Sequence, residues 1–370
     1  MKIVGLKIYV FKREKSWSIE YGQSTLWETP FSGMARILTD EGVEGVFISS
    51  ASSLEELARR FKANRNELVG VDPLDRERIE SALVEHRWSN SILSIIDACL
   101  WDVAGKFFKR PVYKLIGAYR DKILAYASGV EWAIGATQKD HVEMAVRCQK
   151  KGYRAFKIHP PYSWDWKKDI ALCKAVRNAV GDDMILMFDP YSHPLYDREA
   201  AIRVGREIEK LGFYWYEDPI PTTDIEGLAD LCRSLDIKMM IGEYIDSVSG
   251  YTELIRNHAT DSLRCISGLV GGITPMLKIA HLAEAFGMKS EPHSYGNTFE
   301  QAAHLHVMLA TRNCDFFELP IPEGTLDGCM KDTIAIDRDG YVHGPTKPGL
   351  GYDVDWSKVD RITEKVIELK

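Results

Sequence analysis

Three carboxylates recur at even spacing. Asp189 closes Leu186-Met187-Phe188-Asp189-Pro190, Glu217 closes Tyr214-Trp215-Tyr216-Glu217 before Asp218-Pro219, and Glu243 closes Met239-Met240-Ile241-Gly242-Glu243. Each ends a short apolar run that a Pro or Gly turn interrupts and an amphipathic segment follows, the pattern of a buried parallel strand feeding a helix. Three such units in succession put three acids on one rim. Acids crowded there repel unless a cation neutralises them, and an all-oxygen ligand set suits Mg²⁺, with positions left for water and substrate. One such acid alone reads as a solvated strand end. The regular trio Asp189, Glu217 and Glu243 reads as a metal site, and the first hypothesis is a metal-assisted enzyme.

The elements that position these acids repeat from about residue 122. Strand candidates are Ile123 to Tyr126, Ala155 to His159, Ile185 to Asp189, Tyr214 to Glu217, Lys238 to Glu243, Leu263 to Ser267, Lys289 to His293 and Phe316 to Leu319. Helical spacing of apolar residues fills the gaps, as in Asp169 to Val180, Arg198 to Leu211, Ile225 to Leu235, Thr274 to Phe286 and Phe299 to Thr311. Strands alternating with helices mean a parallel sheet. Eight strands with seven intervening helices predict an α/β fold, a modified TIM barrel of (β/α)7β type, with catalytic groups at the strands' C-terminal ends.

The first 120 residues differ. Strand candidates Lys2 to Phe11, Phe31 to Thr39 and Val43 to Ser49 precede helices Leu54 to Phe61 and Ser89 to Phe107, an α+β layer. The expected division is an N-terminal α+β capping domain over 1–120, the barrel over 121–320, and a C-terminal segment over 321–370 that returns to the cap. That last segment holds a strand pair around Asp337-Arg338-Asp339-Gly340-Tyr341-Val342.

Composition narrows the function classes. At 370 residues and 45% apolar content the chain can bury a full core. Its apolar stretches are shorter than the roughly 20 residues of a spanning helix, and the alternating N-terminus lacks a secretory pattern, so a cytoplasmic protein with no membrane partner is expected. The seven cysteines are scattered and never spaced Cys-x-x-Cys, which reads as reduced core thiols rather than disulfides or a zinc ribbon. A net charge of -7 without a basic cluster gives no footprint for nucleic acid.

Further motifs resemble one family. Ile95-Ile96-Asp97-Ala98-Cys99-Leu100-Trp101-Asp102-Val103-Ala104-Gly105-Lys106 and Pro111-Val112-Tyr113-Lys114-Leu115-Ile116-Gly117 resemble a long cap-domain helix and the turn into a barrel. Val270-Gly271-Gly272-Ile273-Thr274 resembles a turn after barrel strand six, and Pro348-Gly349-Leu350-Gly351 a closing motif. With the three acids, these run the length of the chain and resemble the enolase superfamily, in its mandelate-racemase-like branch of sugar-acid dehydratases and racemases. The resemblance implies Asp189, Glu217 and Glu243 as Mg²⁺ ligands and abstraction of the proton α to a carboxylate, the enediolate being stabilised by Mg²⁺. It also implies a small-molecule carboxylate substrate and a homo-oligomer. Physics agrees that such a weak carbon acid needs fixed positive charge at the developing oxyanion.

The same resemblance assigns acid and base groups. Lys157 and His159 stand two apart in Ala155-Phe156-Lys157-Ile158-His159, where the branch usually has Lys-x-Lys, so both face the barrel mouth. Lys157 is assigned to the substrate carboxylate and His159 to the base, with Lys157 as the alternative base if desolvated. His293, in Ser290-Glu291-Pro292-His293-Ser294, resembles the seventh-strand acid or base. Its usual aspartate partner falls at Ile266, so either Ser267 orients it or it serves only as a proton donor to a leaving hydroxyl. Glu318 resembles an eighth-strand carboxyl that donates to the oxyanion, and must be protonated to do so. Tyr191 and His193 behind Asp189, and Trp17 and Tyr21 in the cap, are candidate substrate contacts; Trp27 and Tyr162-Ser163-Trp164-Asp165-Trp166 are further rim aromatics.

The expected activity is a Mg²⁺-dependent dehydratase that takes the α-proton of a sugar acid and expels the β-hydroxyl to give a 2-keto-3-deoxy acid. Two alternatives stay open. One is a racemase, epimerase or cycloisomerase using the same enediolate, and the other is a non-catalytic metal-binding protein on this scaffold.

Overall fold

The computed structural model describes the chain apart from residues 13–14, 19–24, 29–31, 51–53, 130–135, 161–164, 191–195, 325 and 328, and apart from the side chains of the strand pair Lys15–Ser18 and Thr25–Glu28. Eight parallel strands form one curled sheet: Lys122–Gly129, Ala155–Ile158, Ile185–Phe188, Trp215–Glu217, Lys238–Ile241, Ser262–Leu263, Lys289–Ser290 and Phe316–Pro320. In that numbering their order is seven, six, five, four, three, two, one, eight. Helices Gln138–Lys151, Trp166–Val180, Arg198–Lys210, Ile225–Ser234, Val248–Arg256, Ile273–Ala285 and Thr298–Ala310 link them, giving the (β/α)7β barrel.

The local rules behind these elements are simple. Alternate strand residues point to opposite sides, so Leu186 and Phe188 meet the helices while Met187 points inward with Tyr126, Ala155, Trp215, Met240 and Phe316 to fill the barrel floor. Helix starts are marked by side chains that accept otherwise unpaired backbone N–H groups: Asp165, Asp197, Asp224 and Ser247 singly, Thr137 and Asn297 in capping boxes.

Closure of the cylinder uses side chains where a backbone ladder would be expected. Among the described residues no ladder joins strands seven and eight. The Glu291 carboxylate accepts from the N–H groups of Asp315 at 2.7 Å and Phe316 at 3.1 Å. The Ser294 hydroxyl accepts from the Glu318 N–H at 2.9 Å and donates to the Glu318 carbonyl at 2.8 Å. Both pairings satisfy buried backbone groups that would otherwise be orphaned.

The N- and C-termini share a four-stranded antiparallel sheet, ordered Thr363–Leu369, Ile3–Phe11, Gly33–Thr39, Glu44–Ser49. The long helix Asn90–Phe107 packs on it and carries two buried acids that explain the distant glycine motifs. Asp97 accepts from the backbone N–H and hydroxyl of Thr274, and a Cβ on Gly272, at φ +123°, would lie 2.4 Å from its carboxylate. Asp102 accepts from Val46 N–H at 2.8 Å and Leu350 N–H at 2.9 Å and pairs with Lys106; a Cβ on Gly349 would fall 2.1 Å from it. Asp102→Ala would leave two buried N–H groups unpaired. It is expected to cost about 3 kcal/mol, read as a fall of several degrees in Tm.

Some sequence expectations need correction. The strand pair proposed around 337–342 is a single strand, Tyr341–His343, lying antiparallel to the first barrel strand. Strands six and seven are two residues long, and Ser267 starts the short helix Ser267–Val270 rather than ending a strand. All seven cysteines are free, six of them buried. Among the described residues no helix is long and apolar enough to cross a membrane.

Candidate active site

Barrel side chains stack in layers drawn from alternate strands, and one layer is made of charge. Strands two, four and eight contribute Lys157, Glu217 and Glu318, and Arg264, just past strand six, takes the fourth place. All four are at most 1% exposed. Lys157 Nζ lies 3.2 Å from Glu217 Oε1 and 2.8 Å from Glu318 Oε1. Arg264 pairs through Nε with Glu217 and through Nη2 with Glu318 Oε2 at 2.6 Å. Signs therefore alternate around the ring.

Above this layer the other two acids converge. Asp189 follows strand three directly, and its Oδ2 is 3.2 Å from Lys157 Nζ and 3.1 Å from His159 Nε2. Glu243 follows Gly242, whose φ of +124° turns the chain after strand five. Asp218 fixes that turn by accepting from Gly242 N–H at 3.0 Å and Glu243 N–H at 3.1 Å. Asp189, Glu217 and Glu243 each offer an oxygen within 4.8 Å of the others.

The donor set fits Mg²⁺ chemically. With all four ionised, Asp189, Glu217, Glu243 and Glu318 would set four negative charges against two positive ones from Lys157 and Arg264. Burying that surplus of two is costly, and a dication of oxygen preference offsets it. Burial pushes Glu217 well above the usual carboxylate range, with Asp189 and Glu243 adding to the push against Arg264 and Lys157. For Asp189 burial acts the same way, but Lys157 and His159 outweigh it and hold the group low.

The charge layer bears on two assignments. Glu318 was expected to be a protonated donor. Burial alone would favour that, yet Arg264 and Lys157 overcome it and hold Glu318 well below the usual range, as an acceptor-only carboxylate. Lys157 was offered as an alternative base. Burial and Arg264 lower its pKa, but Glu217, Glu318 and Tyr126 more than reverse this, so it stays an ammonium.

His293 faces the acids from the seventh-strand side, its Nε2 3.7 Å from Glu318 Oε2 and 3.9 Å from Glu243 Oε1. Burial lowers its pKa, with Arg264 and Lys157 assisting and the two carboxylates opposing. Its Nδ1 has no hydrogen-bond partner among the described residues. Ser267 does not take the missing aspartate's place, since its hydroxyl makes no bond to that Nδ1; its backbone N–H is given to His304 Nε2 at 3.0 Å. His304 and His306 diverge into separate backbone contacts, as two helix residues two apart must.

Lys157, His159, Asp189, Glu217, Glu243, His293 and Glu318 thus meet at one barrel mouth. Tyr191, His193 and Tyr21 lie outside the described residues, as do the side chains of Trp17 and Trp27 and most of the 162–166 rim. Sequence reasoning missed Arg264. An arginine inside Leu263-Arg264-Cys265-Ile266 looks like a rim residue, and the usable signal was its register, two beyond Ser262 as Lys157 is two beyond Ala155.

A family model described as enolase C-terminal domain-like matches residues 140–358. The chain belongs to the enolase superfamily. It is 32% identical over 290 residues to L-talarate/galactarate dehydratase of Salmonella typhimurium, covering 75% of this chain and 70% of that one. It is 30% identical over 263 residues to arabinonate dehydratase of Saccharolobus solfataricus, covering 71% and 69%. The structure of D-glucarate dehydratase from Agrobacterium tumefaciens complexed with magnesium superposes with a TM-score of 0.85 at 34% identity, covering 99% of this chain and all of that one. The mandelate-racemase-like resemblance of this enolase-superfamily chain therefore holds over its whole length.

Proposed function

We propose that the protein is a Mg²⁺-dependent dehydratase of a sugar acid, removing the proton α to the carboxylate and eliminating the β-hydroxyl to leave a 2-keto-3-deoxy acid. The observation that carries this reading is the buried trio Asp189, Glu217 and Glu243 with histidines at either side, His159 at Asp189 and His293 at Glu243. The dehydratases among its relatives support the same choice.

When bound to the trio, Mg²⁺ supplies Lewis-acid stabilisation of the charge that develops on the substrate carboxylate. His159 takes the α-proton, and Asp189 beside its Nε2 stabilises the imidazolium that results. Lys157, held cationic and 1% exposed, acts as fixed positive charge under the reacting carboxylate rather than as a base. His293 delivers a proton to the β-hydroxyl, which leaves as water as the C–O bond breaks. His293 carries that proton in as the imidazolium, a form that Glu243 and Glu318 favour against burial.

The test is a screen of sugar acids for 2-keto product with and without Mg²⁺, repeated in D₂O. A Mg²⁺-dependent 2-keto product is the expected result. Deuterium entering at the α-carbon with no loss of water would overturn dehydration in favour of racemisation, epimerisation or cycloisomerisation. A Mg²⁺-dependent rise in Tm without turnover of any sugar acid would leave the non-catalytic metal-binding reading.

A further inference from the structure

We propose that Arg264 is a positioning residue that sets how tightly the acidic trio takes its divalent cation, by holding carboxylate oxygens of two ligands and by completing the alternating charge layer beneath them. The proposal rests on the metal reading above.

All three guanidinium nitrogens are engaged. Nε meets Glu217 and lies 3.4 Å from Glu243 Oε2, Nη2 meets Glu318 Oε2 at 2.6 Å, and Nη1 donates to the Tyr126 hydroxyl at 3.2 Å. Only a planar fork reaches two ligand acids, a third carboxylate and a phenol at once; a lysine ammonium in its place would have to choose among them. Arg264 is 0% exposed, and Tyr126, Trp215 and Phe316 form the barrel floor, so water does little to screen its charge.

Two consequences follow for the cation. The guanidinium uses oxygens of Glu217 and Glu243 that an ion also needs, so an incoming ion competes with a resident cation. Equally, the resident cation keeps the four acids together when no ion is bound, so the ligand set is assembled beforehand. Arg264 does not reach the solvent side of the site, and its part in turnover runs through Glu217, Glu243 and Glu318.

The test uses the full chain and Mg²⁺ alone, with binding midpoints read by thermal shift and by calorimetry. Arg264→Met removes the charge but keeps the length, and is expected to lower the midpoint about tenfold. Glu318→Gln removes the negative charge beside Arg264 in the layer, at a position outside the trio, and is expected to raise the midpoint about tenfold. Arg264→Lys keeps the charge and should stay within about threefold of wild type. A purely structural role would destabilise the variants without shifting midpoints in opposite directions. Midpoints of Arg264→Met and Glu318→Gln that both match wild type, or move together, overturn the proposal. If Arg264→Met does not fold, a Glu318→Gln midpoint at or below wild type overturns it alone. A wild-type protein without any Mg²⁺ response would sink the metal reading itself, whereas a response that ignores these charges sinks only the role given to Arg264.

Discussion

Glu243→Gln is expected to lower kcat/KM for the sugar-acid substrate by about 10³-fold or more and to abolish the Mg²⁺-dependent rise in Tm. The substitution is nearly isosteric, and the backbone at 242–243 is pinned from elsewhere, because both N–H groups are given to Asp218. The loss would therefore report on charge and ligation rather than on a displaced loop. Glu243 also helps to raise the pKa of His293, a smaller effect that the metal-binding readout does not share. Retained Mg²⁺ stabilisation with turnover within about tenfold of wild type would show that the trio is not the ligand set.

His293→Asn is expected to stop dehydration while leaving exchange of the α-proton with solvent. A single general acid or base contributes about 10² to 10⁴ in rate, so product formation should fall by that order. The split arises because His159 and His293 approach from different sides, one beside Asp189 and the other beside Glu243 and Glu318. Running the variant in D₂O separates the two steps: deuterium should enter the substrate, and little 2-keto acid should form. Loss of exchange together with product would move the first proton transfer to His293 and release His159 from that role.

The architecture was legible because its determinants are local. Each apolar run ended by Pro190, Pro219 or Gly242 announces a strand end, and an acid written there lands at the barrel mouth whatever the loops do. Asp97 and Asp102 were visible as part of a motif, but their purpose was not, since their partners Thr274 and Leu350 lie 177 and 248 residues away. Protonation states were the least legible part. Glu318 was read as a protonated donor, whereas it pairs with Lys157 and with Arg264, a residue marked in the sequence by its register alone. The short sixth and seventh strands were overextended for a related reason: Cys265-Ile266 and Glu291-Pro292 look like strand, but the paired register ends at Leu263 and Ser290, beyond which only the Glu291 and His293 N–H groups reach across, to the Leu263 and Cys265 carbonyls.

The join between the seventh and eighth strands gives the cylinder a direction of compliance. Ladders elsewhere repeat main-chain pairs, while this line is held by one main-chain bond, from Ser290 N–H to the Asn313 carbonyl, with one carboxylate and one hydroxyl. His293 sits immediately before that hydroxyl-bearing residue and Glu318 is bonded to it, so the proton donor and its anionic neighbour ride on opposite lips of the same joint. A small parting of those lips would change the gap between donor and acid without disturbing Asp189 or Glu217, which stand on the far wall.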